Sequence, residues 1–154
     1  MNPVNFLFEP VGHVHSTRTQ AVDDFWDQES VHIELTESYS GESLQGLDSF
    51  SHVAVIFHMH QVDRVSSGVR RPRNRTDWPE IGIFAQRGKN RPNALGLTVC
   101  RVLKIEGRCL YVQGLDAIDG TPILDIKPWV SEMGPRGATK EPEWMKELME
   151  HYWS

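Results

Sequence analysis

The chain has 154 residues, of which 39% are hydrophobic, and this suffices for one domain with a buried core. No apolar run approaches the roughly 20 residues that a membrane-spanning helix requires. The N-terminal stretch MNPVNFLFEP lacks the basic start and the small-residue cleavage site of a signal peptide. We therefore expect a soluble, cytoplasmic protein with no membrane partner.

The net charge is −5, yet the basic residues are concentrated in one part of the chain. Residues 64–91 hold eight of the 16 Lys and Arg residues against only Asp77 and Glu80, so this window carries +6 and the remainder carries −11. Such asymmetry indicates a local anionic partner on an acidic body. An arginine-rich disordered loop is the alternative. The basic residues are Arg64, Arg70, Arg71, Arg73, Arg75, Arg87, Lys89 and Arg91.

Short runs rich in Val, Ile, Leu and aromatic residues dominate the chain, and turn-forming residues separate most of them, as is typical of β-strands. Residues 97–105 alternate well and lead through Glu106-Gly107 into 109–115, which predicts a hairpin. The runs predict a mainly β fold: one small antiparallel β-barrel domain over residues 1–154, with a C-terminal α-helix packed outside it. The predicted strands are 8–15, 30–35, 52–60, 81–85, 97–105 and 109–115.

The remaining segments differ in pattern. Residues 41–50 predict one or two helical turns, and residues 140–153 predict a helix with Pro142 in its first turn. Residues 63–80 show no periodic apolar pattern, and such a segment within a compact domain is usually functional or disordered. We expect a basic, mobile loop whose arginines bind RNA. These arginines are Arg70, Arg71, Arg73 and Arg75.

Two His-X-His pairs lie on predicted strands, His13/His15 and His58/His60. Alternate residues of a strand share a face, so each pair could bind one metal ion, and a histidine-lined barrel would be a metalloenzyme. No Asp or Glu stands at an obvious ligand spacing. We therefore assign no metal ligands and keep the metalloenzyme barrel as an alternative.

The stretch RGKNRPNALG, residues 87–96, combines cations with a turn sequence. Pro92 and Asn93 favour the turn, and the guanidinium groups of Arg87 and Arg91 could fork onto a carboxylate or phosphate. The chain has no P-loop and no glycine-rich dinucleotide signature. An anion held here would therefore not sit in a known type of helical phosphate cradle.

Residues 114–130 contain a second turn, Asp119-Gly120-Thr121-Pro122, in which Asp can bond the backbone and Gly can adopt positive φ. Asp116, Asp125 and Lys127 flank apolar residues close by. Partly buried charges of this kind must be paired or bound to a ligand. A polar hairpin rim with an Asp125–Lys127 pair is the alternative.

Three stretches, in this order, resemble the TrmO/YaeB family of S-adenosylmethionine-dependent tRNA methyltransferases, which are built on a β-barrel. The resemblance covers the central two thirds of the chain. It implies an enzyme that methylates N6 of threonylcarbamoyladenosine beside the anticodon of a tRNA, with S-adenosylmethionine as methyl donor, and that forms a homodimer. The stretches are GLDSFSHVAVIFHMHQ (46–61), GIFAQRGKNRPNALGLTVCRVL (82–103) and GLDAIDGTPILDIKPWV (114–130).

The resemblance also assigns roles to residues. His60 and Gln61 match a His-Gln pair that borders the methyl-donor pocket, and Arg87 matches the arginine of the second stretch. A base that removes the N6 proton would help the reaction, and His60 and Asp116 are the candidates. The other residues matched to cofactor binding are Arg91, Asn93, Asp116, Asp119, Gly120, Thr121 and Pro122.

The chain departs from the family pattern in places. The family's Thr-Arg-Ser is Gln86-Arg87-Gly88 here, and its final Tyr is Trp129. Residues 17–30 replace a longer loop that contacts the cofactor in many members. These departures keep a further alternative open, a non-catalytic module that binds S-adenosylmethionine or RNA.

Overall fold

A computed structural model describes residues 2–154 and contains a closed barrel of six antiparallel strands. Around the barrel the strand order is β1-β2-β7-β6-β3-β8, and β4 pairs with β5 in a separate two-stranded sheet. This confirms the predicted mainly β barrel. The strands are β1 (Gly12–Ser16), β2 (Val31–Leu35), β3 (His52–His58), β4 (Val69–Arg70), β5 (Ile81–Gly82), β6 (Leu95–Glu106), β7 (Cys109–Gln113) and β8 (Pro122–Pro128).

The barrel core follows from the alternation of side chains along each strand. On β3, Val53, Val55 and Phe57 point inward and are at most 3% exposed, whereas the residues between them face outward. Where β3 pairs with β6, the ring of Phe57 packs directly on Gly96, and a Cβ at Gly96 would lie 2.3 Å from that ring. Glycine at this point therefore lets the two strands pair without displacing the Phe57 ring.

The strand that closes the barrel, β8, was not among the predicted strands. It pairs with β3 on one side and with β1 on the other. Its charged residues, Asp125 and Lys127, obscure the strand pattern in the sequence, and they form an ion pair with 2.7 Å between Lys127 Nζ and Asp125 Oδ2. The predicted strand 81–85 is also shorter than expected, because Ile83–Ala85 form a 3₁₀ turn.

The predicted C-terminal helix, 140–153, is a shorter α-helix, α1 (Glu143–Met149). It packs against segment 63–80: Trp78 Nε1 donates to Glu147 Oε2 at 2.9 Å, and the centroid of the Trp78 ring lies 6.2 Å from that of Trp144. After the helix, residues 151–153 pair with residues 25–27 through three backbone hydrogen bonds of 2.9–3.0 Å. No helix within residues 2–154 combines the length and apolar character needed to cross a membrane.

The antiparallel order gathers three connections at one end of the barrel, which we call the site end. They are residues 17–30 between β1 and β2, residues 59–94 between β3 and β6, and residues 114–121 between β7 and β8. The turn between β6 and β7 and the connection from β2 to β3 lie at the opposite end. The segment that follows α1 returns to the site end through its pairing with residues 25–27.

Candidate functional site

Every residue predicted to bind cofactor or RNA, or to act in catalysis, lies at the site end. The connection 59–94 supplies His60, Gln61 and all the predicted cationic residues, and 114–121 with the first residue of β8 supplies the carboxylates and the turn. These positions are distant in sequence, and only the antiparallel barrel brings them together.

Asp116 is the most enclosed carboxylate of the predicted set. It is half-buried, and its two oxygens accept hydrogen bonds from the hydroxyls of Thr98, on β6, and Tyr152, beyond α1. Burial, followed by the charge of Asp116, raises the pKa of Tyr152, so this phenol remains a donor. Because both oxygens are engaged, the arrangement suits Asp116 to orienting a ligand more than to removing a proton.

The turn Asp119-Gly120 is fixed against the end of β1. Asp119 Oδ1 accepts from the backbone N–H of Ser16 at 3.0 Å, and the N–H of Gly120 donates to the carbonyl of Val14 at 2.8 Å. Gly120 has a φ of +81°, which favours glycine, and the buried hydroxyl of Thr121 bonds the carbonyl of Ile118 at 2.7 Å. The turn is therefore rigid, as a ligand-binding loop should be.

His60 faces this turn. A Cβ on Gly120 would lie 3.7 Å from His60 Nε2, at van der Waals contact, so the imidazole lies against this turn. Partial burial, followed by the nearby His58 and His13, lowers the pKa of His60. The imidazole is consequently neutral at neutral pH and able to accept a proton.

The predicted cations divide by their contacts. Arg91 donates to the carbonyl of Gln86 at 2.6 Å and thus holds its own loop together. Arg87 is exposed, donates to the carbonyl of Leu97 on β6 at 2.6 Å, and its charge opposes the upward pKa shift of Tyr152. Arg87 therefore belongs to the surroundings of Asp116, whereas Arg91 has a structural contact.

Two further features mark the loop that contains Arg91. Asn93 has a φ of 65°, a left-handed conformation that Asn tolerates, and the next carbonyl, of Ala94, accepts from the N–H of Met59 at 2.8 Å. Asn90 Oδ1 is buried and, among the residues that the structure describes, has no hydrogen-bond partner. An unpaired buried acceptor is costly, so this atom suits a donor from a ligand.

The arginines predicted to bind RNA make intramolecular contacts. Arg73 pairs with Asp24 at 2.9 Å, which ties the connection 59–94 to the connection 17–30. Arg75 pairs with Asp77 and lies over the Trp78 ring, 4.1 Å from its centroid. Arg71 donates to the Trp78 carbonyl at 2.5 Å, and the side chain of Arg70 makes a 3.5 Å contact with Asn74. Segment 63–80, predicted as a mobile loop, thus contains β4 and a 3₁₀ turn (Pro72–Asn74).

Sequence reasoning missed several residues that hold the site together. Tyr152 and Thr98 are the two partners of Asp116: Thr98 lies within the second stretch of the resemblance but was assigned no role, and Tyr152 lies outside all three stretches. Arg18 is 9% exposed and organises the connection 17–30 by donating to Glu29 and to the carbonyls of Asp24 and Phe25. A lone arginine within an acidic loop was the available signal for Arg18; Tyr152 had none.

The histidine pairs do not line the barrel interior. Gly12 and Val14 are the inward residues of β1, so His13 and His15 are exposed on the outer face, and His58 is exposed at the end of β3. A metalloenzyme built around an interior histidine cluster is therefore inconsistent with the fold.

The site end fits a ligand that carries both signs of charge. It offers carboxylates at Asp116 and Asp119, a cation at Arg87 and a neutral imidazole at His60. The amino-acid and ribose parts of S-adenosylmethionine require acceptors for an ammonium and hydroxyls, and donors for a carboxylate. The donors and acceptors at the site end are of these chemical kinds.

The architecture is that of a six-stranded antiparallel barrel with three long connections gathered at one end, and the comparisons identify its family. Residues 17–134 match the model of the tRNA-methyltransferase O N-terminal domain. The chain belongs to this family, which confirms the resemblance found in the sequence.

Individual relatives and solved structures support the same family. The tRNA (adenine(37)-N6)-methyltransferase of Homo sapiens is 35% identical over 146 residues, covering 90% of this chain and 33% of the relative. A probable S-adenosyl-L-methionine-binding protein of Methanothermobacter thermautotrophicus is 33% identical over 141 residues, covering 89% of this chain and 99% of the relative. The crystal structure of TrmO from Pseudomonas aeruginosa aligns with a TM-score of 0.73 at 28% identity, covering 89% of this chain and 61% of that one. The chain thus spans about a third of the length of the human relative.

Proposed function

We propose that the chain binds S-adenosylmethionine at the site end and methylates N6 of an adenine in tRNA, the threonylcarbamoyladenosine next to the anticodon. The observation that carries the proposal is the convergence of the motif residues on one barrel end in a member of the tRNA-methyltransferase O family. The name of the human relative supports both the tRNA substrate and the N6 position.

When bound, S-adenosylmethionine supplies a methyl group on a positively charged sulfur. Asp116 and Asp119 would hold its ammonium and ribose hydroxyls, and Arg87 would hold its carboxylate. Gln61, Asn93 and the backbone of residues 120–122 complete the proposed set, with Arg91 acting through its bond to the Gln86 carbonyl. The Asp119-Gly120 turn, held against β1 by hydrogen bonds, reduces the entropy lost on binding and helps to fix the orientation of the donor.

His60 is the proposed base for the N6 proton. Its lowered pKa keeps the imidazole neutral, and its exposed side chain is accessible to a substrate. Asp116 is the less suited candidate, because Thr98 and Tyr152 already occupy its oxygens. General-base help of this kind is worth about 10²- to 10⁴-fold in rate.

The tRNA would contact the arginines of segment 63–80. Arg71 and Arg75 are exposed, and Arg70 is half-buried, with a long contact of 3.5 Å from its guanidinium to Asn74. Arg73 is 24% exposed at its side chain and engaged with Asp24, so it is the least available of the four. Phosphate contacts position a nucleic acid without reading its sequence. Choice of the target adenine would then fall to the pocket itself.

A second copy of the chain is the proposed partner of the outer face of β3 and β6. Leu95, Leu97 and Val99 are 40–49% exposed on β6, and Leu97 pairs with Ile56 on β3. Covering this apolar strip would stabilise a homodimer. The dimer would carry two copies of segment 63–80. We place this enzyme in the cytoplasm. Leu97→Asp should shift the sedimentation profile toward monomer, whereas Met133→Asp, at a residue 80% exposed elsewhere, should not.

The decisive experiment is methyl transfer from S-adenosylmethionine to tRNA in vitro, followed by mass spectrometry of the nucleosides. We expect N6-methylated threonylcarbamoyladenosine from wild type. Arg87→Ala and Asp119→Asn should weaken donor binding by about tenfold or more, since each removes a charge-assisted contact of about 1.5–3 kcal/mol. Asp119→Asn keeps an acceptor for the Ser16 N–H, and the exposed Lys89→Ala is the matched control.

The second candidate is a binding module without transferase activity, favoured by the name of the Methanothermobacter relative. Donor binding by calorimetry without any methylated nucleoside, from tRNA with or without the threonylcarbamoyl group, would select this candidate. Absence of donor binding would refute both.

A further inference from the structure

We propose that the outer face of β1 and β2 binds a divalent transition-metal ion of the zinc class through His15, His32 and Glu34. One ligand atom from each of these side chains lies within 4.8 Å of the others. The site is separate from methyl transfer, and neither proposal depends on the other.

The strand register creates the site. His15 stands directly opposite His32 in the β1–β2 pair, and Glu34 follows two residues along β2 on the same face. The inward neighbours Val14 and Ile33 are at most 1% exposed, which forces these side chains outward. Three ligands thus come from two neighbouring strands, and the partner of His15 is the residue across the strand pair, His32, whereas His13 is outside this group.

One of the three ligand separations is already close to that around a bound ion. His15 Nε2 lies 3.0 Å from Glu34 Oε2, and ligands of a tetrahedral zinc at about 2.0–2.1 Å are separated by roughly 3.3 Å. His15 and Glu34 are 50% and 40% exposed at their side chains, so small rotations can complete the approach. Two imidazole nitrogens and one carboxylate oxygen are a set that zinc commonly accepts, with water in the fourth position.

Neighbouring side chains restrain the ligands. The ring of His32 is stacked between those of His15 and Tyr111, at 4.8 Å from each centroid. Arg108 lies 3.6 Å from Glu34 Oε1 and leaves Oε2 directed to His15. These contacts limit the positions that the three side chains can adopt. The other pair, His58/His60, is in no such cluster among the residues described.

An ion bound here would stabilise the end of β1 to which the Asp119-Gly120 turn is hydrogen-bonded. Ser16, the residue after His15, donates its N–H to Asp119, and His15, His32 and Asp119 line the same shallow depression. We therefore assign the ion a structural role, in which it links β1 to β2 next to the Asp119-Gly120 turn.

Titration of the tag-free, metal-free full chain with zinc chloride in a calorimeter tests the proposal. We expect one equivalent of zinc, a rise in melting temperature that zinc alone produces, and at least tenfold weaker binding in His32→Ala and in Glu34→Gln. His58→Ala, which removes a histidine of the same spacing on another strand, should bind as wild type does. Circular dichroism verifies that each variant is folded.

Three results would overturn the proposal: no zinc uptake by folded wild type, equal affinity in wild type and in both ligand variants, or loss of binding in His58→Ala alone. Glu34→Gln keeps the size of the side chain. If His32→Ala does not fold, Glu34→Gln still tests whether these residues bind the ion.

Discussion

The hydroxyl of Tyr152 donates a hydrogen bond to Oδ2 of Asp116, and this contact joins the segment beyond α1 to the connection between β7 and β8. The backbone of residues 151–153 is held in place by residues 25–27. The pocket proposed for the methyl donor is therefore completed by a part of the chain outside every motif, and the first prediction tests this contribution.

Tyr152→Phe removes one of the two hydroxyls on Asp116 and leaves the ring in place. A hydrogen bond to a charged group contributes about 1.5–3 kcal/mol, so we expect a measurable loss of stability toward urea and donor binding weakened by about fivefold or more. Calorimetry with S-adenosylmethionine and urea unfolding measure the two effects. Tyr39→Phe, in the connection at the opposite barrel end, is the control, and identical behaviour of the two variants would contradict the role given to Tyr152.

Gly96→Ala should destabilise the barrel, because the new Cβ would lie 2.3 Å from the Phe57 ring. Overpacking of this kind costs about 1–3 kcal/mol. Gly88→Ala provides the comparison within the same motif. No atom of the described residues lies within 4 Å of the position that its Cβ would take, so this substitution should change stability by less than about 0.5 kcal/mol. Equal unfolding midpoints in urea would show that Phe57 moves aside at no cost.

Methyl transfer should depend on pH through His60. Its pKa in the fold lies below the ordinary value of about 6.5, so the neutral form is present above that pH and is lost as pH falls through the lowered pKa. Stability changes in the same direction, because the unfolded chain takes up this proton at a higher pH than the fold does. We expect kcat/KM to be level from about pH 6.5 upward and to decline below that value.

His60→Gln should abolish the acid limb of this profile and lower its plateau by about 100-fold or more. His52→Gln, near the opposite end of β3, should leave the profile unchanged. An acid limb that persists in His60→Gln would transfer the role of base to another group.

Neutralising an arginine of segment 63–80 should weaken tRNA binding and reduce its salt dependence. Each phosphate contact contributes about 0.7–0.9 to the slope of log affinity against log salt concentration, and Arg75→Ala should remove one such contribution. Asp77→Ala should strengthen binding, because Asp77 competes with phosphate for Arg75. Filter binding at several salt concentrations measures both, and Arg108→Ala, at the opposite barrel end, is the control.

The strands that were predictable are those with a clean alternation and a short turn. β6 and β7 form the expected hairpin, although β6 begins at Leu95, earlier than predicted, and the turn is Gly107-Arg108, which sets Glu106 opposite Cys109. β8 escaped prediction because Asp125 and Lys127 stand within it and pair with each other. When two charged residues within a strand form an ion pair with each other, the sequence pattern of the strand resembles that of a loop.

The sequence allowed the motif residues of the candidate site to be predicted, but not the contacts between them and the rest of the chain. The motif residues were found because turn chemistry and family resemblance act over short stretches. The partners of Asp116 were not, since a hydroxyl on β6 and another beyond α1 reach it only through the fold. Cross-strand partners are equally hidden, and His32 is an example: its position opposite His15 depends on the register of β1 against β2.

The pairing of residues 25–27 with residues 151–153 also sets the order in which the molecule can mature. Hairpins such as β6–β7 close locally, whereas this pairing must wait until two remote segments meet, and the loop-closure entropy delays it. The barrel strands can thus pair before residues 151–153 dock on residues 25–27 and complete the proposed donor pocket. Amide hydrogen exchange at Trp26 should accordingly gain protection after the amides of β6, so that a barrel without its docked segment is an early species that is unable to retain the methyl donor.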